Sequence, residues 1–333
     1  MIGPFTSGRA PAREVPRSAG DRALAEDVRA GLSTSGQKTL PSRWLYDDVG
    51  SALFEAICLM PEYGLARADS RILRLYGGEI ARLANHPFWV AELGSGSGRK
   101  SHLLLTALEH HGPLNYVPID VSRAALSRCE AEMASLARVA VDAYEGEYLK
   151  GLSYAASVRR PRERMLVLFL GSTIGNLDPR EAEAFLADVR RHLAPGDMLL
   201  LGTDLVKPVA DLLAAYDDPG GITASFNLNL LARLNRELEA GFDLSRFAHE
   251  ARWSAEESRI EMHLRSLQAQ QVDIPGADLS VQLREGETIW TESSYKFSPA
   301  QPYRLARRAG FHVVGLWSDA KWPFCETLLR AMA

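Results

Sequence analysis

The sequence predicts an α/β protein, an open and mostly parallel sheet carrying a second, smaller α+β portion. Three observations predict it. Apolar runs at residues 88–93, 115–119, 138–143, 165–170 and 198–202 alternate with stretches of helical period. The first run ends in a glycine-rich turn, Gly94-Ser95-Gly96-Ser97-Gly98, at the strand end where open α/β sheets bind ligands. The alternation then stops between residues 207 and 297, where helix and antiparallel-type strands intervene, and resumes to the end of the chain.

Element by element, residues 22–32 place Leu24, Val28 and Leu32 four apart, an amphipathic helix. A polar link, STSGQKTLP, leads to Trp44-Leu45-Tyr46-Asp47-Asp48. A short helix over 51–59, the segment Pro61-Glu62-Tyr63-Gly64 and a helix over 69–83 follow. After the first strand come a helix over 100–109, a strand over 115–119 closed by Asp120, and a helix over 123–136 that Ser122 can cap. MLVLFL at 165–170 is apolar on both faces, as a central parallel strand must be. A helix over 179–193 stops at Pro195-Gly196 before the strand at 198–202. Residues 207–244 read as mostly helical, then 258–267, 279–283 and 288–297 alternate as antiparallel strands. A helix over 303–309 and strands over 311–317 and 324–329 close the chain. A sheet interrupted and then resumed implies an inserted domain.

Composition bounds the function. The 333 residues allow one large or two ordinary domains, and 46% hydrophobic with 24% charged residues suits a globular core. The charge sum, 38 − 42 = −4, provides no basic excess for nucleic acid or an anionic membrane. A small soluble substrate and a monomer are expected. Three scattered cysteines, Cys58, Cys129 and Cys325, form no CxxC pair and no disulfide framework. No stretch is long and apolar enough to span a bilayer, and residues 1–20 lack the apolar core of a signal peptide, reading as a loose leader. A cytoplasmic protein is expected. His249 and His263 lack ligand spacing with Cys or acids, so no metal is expected.

Gly94, Gly96 and Gly98 follow Glu92 in the pattern E-x-G-x-G-x-G, and the next strand ends in Asp120. Glycines allow a tight turn and bare backbone against a ligand; a strand-end carboxylate can accept from two ribose hydroxyls. The alternatives are a plain flexible turn and an acid beside a helix cap. The spacing is not the G-x-G-x-x-G of dinucleotide folds, since position 99 is Arg, which counts against a nicotinamide-dependent oxidoreductase. After the fourth strand comes Gly171-Ser172-Thr173-Ile174-Gly175-Asn176-Leu177. Asn176 can accept from an amine and donate to a carboxylate, or cap the helix beginning at Asp178-Pro179.

The glycine pattern with its strand-end Asp resembles the class I S-adenosylmethionine methyltransferases, whose sheet is Rossmann-like. The resemblance implies that Gly94, Gly96, Gly98 and Lys100 hold the methionine part, Asp120 the ribose, and Glu147-Tyr148 the adenine, with Gly171 lining the cofactor side. More narrowly, QKTLPSRWLYDDVGSALFEAI, PEY, GSTIGNL, AYDDPGGITASFNLNLLARLNRELEAGFD and TESSYKF resemble the histidine Nα-trimethyltransferases of ergothioneine biosynthesis, in order from about residue 32 to the end. That resemblance implies three methyl transfers from S-adenosylmethionine to the α-nitrogen of L-histidine, passing through its mono- and dimethylated forms. It implies residues 1–67 and 207–297 as a substrate domain and 68–206 and 298–333 as the methyltransferase domain. It places Tyr46 near the substrate amine, Asn176 at the α-groups, Tyr216 at the carboxylate, Tyr63 at the imidazole and Met262 on the pocket wall. Glu292 and Ser294 would bind the two ring nitrogens.

Residues two apart on a strand share a face, so Glu292 and Ser294 can act together; a solvated face running Thr288, Trp290, Glu292, Ser294 is the alternative. The tyrosines could equally be core aromatics with a wet hydroxyl, Met262 simple packing, and Glu147 a solvated acid. No Asp, Glu or His base stands out beside Asn176. Two departures from the family pattern are PEYGLA, where PEYYPT is usual, and Gly98-Arg99-Lys100, where Thr/Ser-Glu-Lys is usual. Rival readings are Nα-methylation of tryptophan or another aromatic amino acid, and a non-enzymatic S-adenosylmethionine-binding regulator.

Overall fold

The computed structural model describes residues 19–333; all but the last two residues of the expected leader lie outside them. The N-terminal elements are α1 (Ala19–Leu32), β1 (Lys38–Thr39), α2 (Asp48–Leu59) and α3 (Gly64–Leu83). The alternating part comprises β2 (Trp89–Leu93), α4 (Arg99–Glu109), β3 (Leu114–Asp120), α5 (Arg123–Met133), β4 (Val139–Val141), β5 (Tyr144–Glu145), α6 (Tyr148–Val158), β6 (Met165–Phe169), α7 (Pro179–Arg191) and β7 (Met198–Asp204). Then follow α8 (Val209–Tyr216), α9 (Ile222–Leu238), β8 (Phe247–Ser254), β9 (Arg259–Ser266), β10 (Gln270–Ile274), β11 (Leu279–Leu283) and β12 (Thr288–Tyr295). The chain closes with α10 (Gln301–Arg308), β13 (Phe311–Ser318) and β14 (Phe324–Ala331).

The main sheet has the order β13-β14-β7-β6-β2-β3-β4, with β5 extending the β3 edge. The strands from β2 to β7 are parallel, whereas β14 runs antiparallel to β7 and β13 antiparallel to β14. The parallel sheet is therefore closed by a hairpin rather than resumed in parallel. β6 is buried at every position because helices cover both faces: leucines of α3 and α4 pack on one side, and residues of α6, α7 and α10 on the other. A second sheet, β1-β12-β9-β8, pairs β1 parallel to β12 and is otherwise antiparallel. The chain leaves the main sheet after β7 and returns beside it, with Phe297 N donating to Asp204 O at 2.9 Å and Val206 N to Phe297 O at 3.0 Å.

Several elements differ from expectation for identifiable reasons. The helix expected at 69 begins at Gly64, and that expected at 51 begins at Asp48, because Asp47 caps it by accepting from Gly50 N at 2.7 Å. The expected helix 207–244 is broken by Asp218-Pro219-Gly220-Gly221 into α8 and α9; Gly221 is the N-cap of the second, and Asp218, three residues before it, accepts from Ile222 N and Thr223 N in its first turn. α6 escaped notice because Gly151 weakens its local helix signal while letting it pack closely on Ile119 of β3. β8 is an edge strand, half-buried along most of its length, so its alternation is faint.

Candidate active site

At the carboxyl end of β2, Gly94, Gly96 and Gly98 take φ of 75°, 53° and 75°, left-handed backbone that favours glycine. Asp120, ending β3, faces this turn. Its Oδ2 accepts from Gly96 N and its Oδ1 from Ser122 N, both at 3.0 Å. Burial raises its carboxyl above the ordinary value although these amides pull the other way. The Val121 amide acts on the same carboxylate, and the acceptor capacity left over fits adjacent hydroxyls. Tyr148 lies over the turn, a Cβ on Gly94 being only 3.1 Å from its hydroxyl. Glu147 is different: its side chain is 72% exposed and pairs with Lys150 at 3.0 Å, the solvated alternative.

Beside the turn, Lys100 Nζ donates to Asp69 Oδ2 at 2.7 Å, and Gly171 N donates to the same oxygen at 3.0 Å. Asp69 thus ties together the two groups expected along the cofactor's methionine end. Behind it Glu326 of β14 is fully buried, its carboxyl held well above the usual range by burial and by the Asp69 charge. Glu92 is likewise pushed up to about 7 by burial, against bonds from Ser101 and Tyr116. Sequence reading named neither Asp69 nor Glu326.

Across the cleft the second sheet contributes β12. A bulge lies between Trp290 and Glu292, so the expected four-residue face is interrupted, but Glu292 and Ser294 remain two apart on one side and are only 8% and 5% exposed. Neither is solvated. Met262, fully buried, is Glu292's partner on β9. Tyr46 Oη donates to Glu292 Oε1 at 3.4 Å, and Asn176 Nδ2 donates to the same oxygen at 3.3 Å. A carboxylate does stand beside Asn176, correcting the expectation that none would. Burial raises Glu292 to about 7, against the Lys296 charge and the Tyr46 bond.

Local structure explains this convergence. Asp47 also accepts from Asn229 and Arg236 of α9, seating Tyr46 between Phe54 and Phe226 with ring centroids 5.6 and 5.5 Å away. Tyr63, at the N-terminus of α3, meets Tyr216 edge-on at 5.9 Å. Tyr216 ends α8, where the backbone carbonyl accepts from His249 Nε2 at 2.8 Å, and its hydroxyl lies 2.7 Å from Ser294 Oγ. Asn176 ends a short 3-10 turn, Thr173–Asn176, brought against β12 because Gly175 has no Cβ; one there would meet Tyr295 O at 2.8 Å. α7 is capped by Asp178 in a capping box with Glu181, so Asn176 is free of that duty. Gly64, where PEYGLA departs from the family pattern, lies under the Trp322 indole, 2.2 Å from where a Cβ would stand.

The model describing histidine-specific, S-adenosylmethionine-dependent methyltransferases matches residues 24–331. The chain belongs to this family. Its cofactor is S-adenosylmethionine and its fold the class I methyltransferase sheet described above. The chain is 44% identical over 315 residues to histidine N-alpha-methyltransferase of Mycobacterium tuberculosis, covering 94% of this chain and 96% of that one. It is 31% identical over 290 residues to ergothioneine biosynthesis protein 1 of Neurospora crassa, 85% of this chain and 32% of that one. It is 28% identical over 325 residues to an L-tryptophan methyltransferase of Psilocybe serbica, 90% of each. Among the described residues no helix is long and apolar enough to cross a membrane, and no three His, Cys, Asp or Glu side chains gather as metal ligands.

Proposed function

We propose that this methyltransferase transfers three methyl groups from S-adenosylmethionine to the α-nitrogen of L-histidine, as the ergothioneine route requires. The observation that carries the reading is the pairing of a buried acceptor, Glu292, with a buried hydroxyl pair, Tyr216 and Ser294, in one aromatic-lined space. An imidazole presents one N–H and one bare nitrogen, and these groups suit both. Indole has only the N–H and leaves the Ser294 hydroxyl without a ring acceptor, which is costly in a buried site.

In this reading Gly94, Gly96, Gly98, Lys100 and Gly171 hold the cofactor's amino-acid end, Asp120 its ribose, and Tyr148 its base. Bound S-adenosylmethionine supplies an electrophilic methyl on a sulfonium. Asn176 orients the substrate's α-groups between that methyl and β12, Tyr216 takes the carboxylate, and Tyr63 and Met262 wall the ring. Such positioning can be worth roughly 7–11 kcal/mol. The nitrogen must be neutral to attack. Burial and the Glu292 charge hold the Tyr46 hydroxyl well above its ordinary range, so it serves as a relay, passing the ammonium proton to water or to Glu292 Oε1. Glu292 Oε2 is left for a ring N–H.

The segments up to 67 and 207–297 then form the substrate-binding part, and 68–206 with 298–333 the methyltransferase part. The three free cysteines fit a reducing cytoplasm, and the net charge of −4 fits a small soluble substrate rather than nucleic acid. The test is calorimetric titration of histidine and of tryptophan into the protein saturated with S-adenosylhomocysteine. Histidine binding at least tenfold tighter is expected; equal or reversed affinities would remove the histidine assignment.

A further inference from the structure

Behind Tyr216 and Ser294 lies a group outside every role described so far. Lys296, two residues beyond Ser294 and therefore on the same face of the strand, has a side chain with no exposure. Its ammonium lies 2.8 Å from Tyr216 Oη, 2.8 Å from Ser294 Oγ and 3.1 Å from Asp204 Oδ2. Asp204 also carries Lys207, 2.6 Å from its other oxygen. One buried aspartate thus faces two lysines beneath the pocket floor, and the Lys296 charge also reaches Glu292 of the pocket. Desolvation opposes the ammonium of Lys296, but Tyr216 and Asp204 outweigh it and keep it charged.

Resting on the functional reading above, we propose that Lys296 is a positioning residue for substrate recognition, holding the Tyr216 and Ser294 hydroxyls as hydrogen-bond donors to the amino-acid substrate's carboxylate and bare ring nitrogen. An ammonium only donates. By donating to both oxygens it occupies a lone pair on each and turns their hydrogens outward; in the free site one of these hydrogens spans the 2.7 Å between the two oxygens. A hydroxyl that accepts from a cation is also a stronger donor. The buried Lys296 ammonium also favours an anion at these hydroxyls. The substrate's α-carboxylate supplies it. The site consequently selects amino acids over the corresponding amines, and a neutral imidazole over the imidazolium, whose second N–H would face the Ser294 donor.

The test compares histidine with histamine, which lacks the carboxylate, in the parent, Lys296→Met, Tyr216→Phe and the double variant, with S-adenosylhomocysteine affinity as the check on the fold. Lys296→Met is expected to lower kcat/KM for histidine about 30-fold or more, mainly through KM. It should cut the histidine-over-histamine preference at least tenfold and leave S-adenosylhomocysteine affinity within about twofold. The double variant should lose less than the product of the two single losses, because part of the lysine's effect acts through the Tyr216 hydroxyl and the rest through Ser294. An unchanged preference, equal loss on both substrates, or additive losses in the double variant would overturn the proposal. If Lys296→Met does not bind S-adenosylhomocysteine, Lys296→Arg decides: retaining a cation, it should keep the preference, and losing it with cofactor binding intact overturns the proposal. A parent that methylates neither compound refutes the functional reading itself, a result distinct from all of these.

Discussion

Asp120→Ala is the sharpest perturbation of the proposed cofactor site. In the structure each Asp120 oxygen already accepts one backbone amide at 3.0 Å, Gly96 N on one and Ser122 N on the other. The acceptor capacity left beyond the backbone amides serves the adjacent ribose hydroxyls. Hydrogen bonds to a charged partner contribute at least ~1.5 kcal/mol each, so losing two costs about 3 kcal/mol. That is a roughly 150-fold rise in dissociation constant. Isothermal titration of S-adenosylhomocysteine measures it directly. Loss of the Gly96 tie also loosens the turn, so the contribution of the hydroxyls must be separated. Pairing the variant with a 2′-deoxy cofactor analogue does this. The analogue should bind the parent about tenfold more weakly than S-adenosylhomocysteine, and the variant should bind both alike. A change under about threefold on Asp120→Ala, or a tenfold penalty for the deoxy analogue that persists in the variant, would refute the ribose assignment.

Three further outcomes follow from the substrate side. Asn176→Ala should raise KM for histidine by about tenfold or more, equivalent to losing one polar contact of ~1.4 kcal/mol, while S-adenosylhomocysteine affinity stays within twofold; full activity would refute the assignment. Histidine affinity should fall as pH drops through about 7, because the raised Glu292 carboxyl then gains a proton, loses its charge and becomes a weaker acceptor for the ring N–H. In Glu292→Gln that limb should move down to the imidazole's own titration near ~6.5; an unmoved limb in calorimetric pH profiles would show that Glu292 is not its source. Glu292→Ala combined with Met262→Val should shift the ratio of kcat/KM for tryptophan over histidine upward by about tenfold or more, since the stranded carboxylate is removed and the wall enlarged. An unchanged ratio would refute the selectivity argument.

Much of this was legible in the sequence because it depends on period and punctuation. The runs at β2, β3, β6 and β7 sit where their apolar patterns place them, and the turn at Gly94–Gly98 with Asp120 was found from spacing alone. Tyr46, Tyr63, Asn176, Tyr216, Met262, Glu292 and Ser294, scattered over six elements or junctions, converge on one space, and their expected roles rested on resemblance. Lys296 was within reach: it belongs to the quoted TESSYKF and shares a face with Ser294 by the same two-residue step. Asp69 and Glu326 offered less. Glu326 is the one acid in an apolar closing strand, a faint mark of a buried partner, but nothing local shows that Asp69, on a distant helix, is what it faces. The proximity of Glu292 to Asn176 depends on Gly175 packing against β12, a tertiary contact with no periodic trace.

The most direct measurement is the product formed when the protein is given S-adenosylmethionine with histidine and tryptophan in equal amounts, analysed by mass spectrometry with fragmentation to locate the added groups. The account predicts histidine carrying three methyl groups on its α-nitrogen, with tryptophan left largely unmodified. Methylation of tryptophan in preference to histidine, methyl groups on the imidazole ring, or no transfer to either amino acid would contradict it.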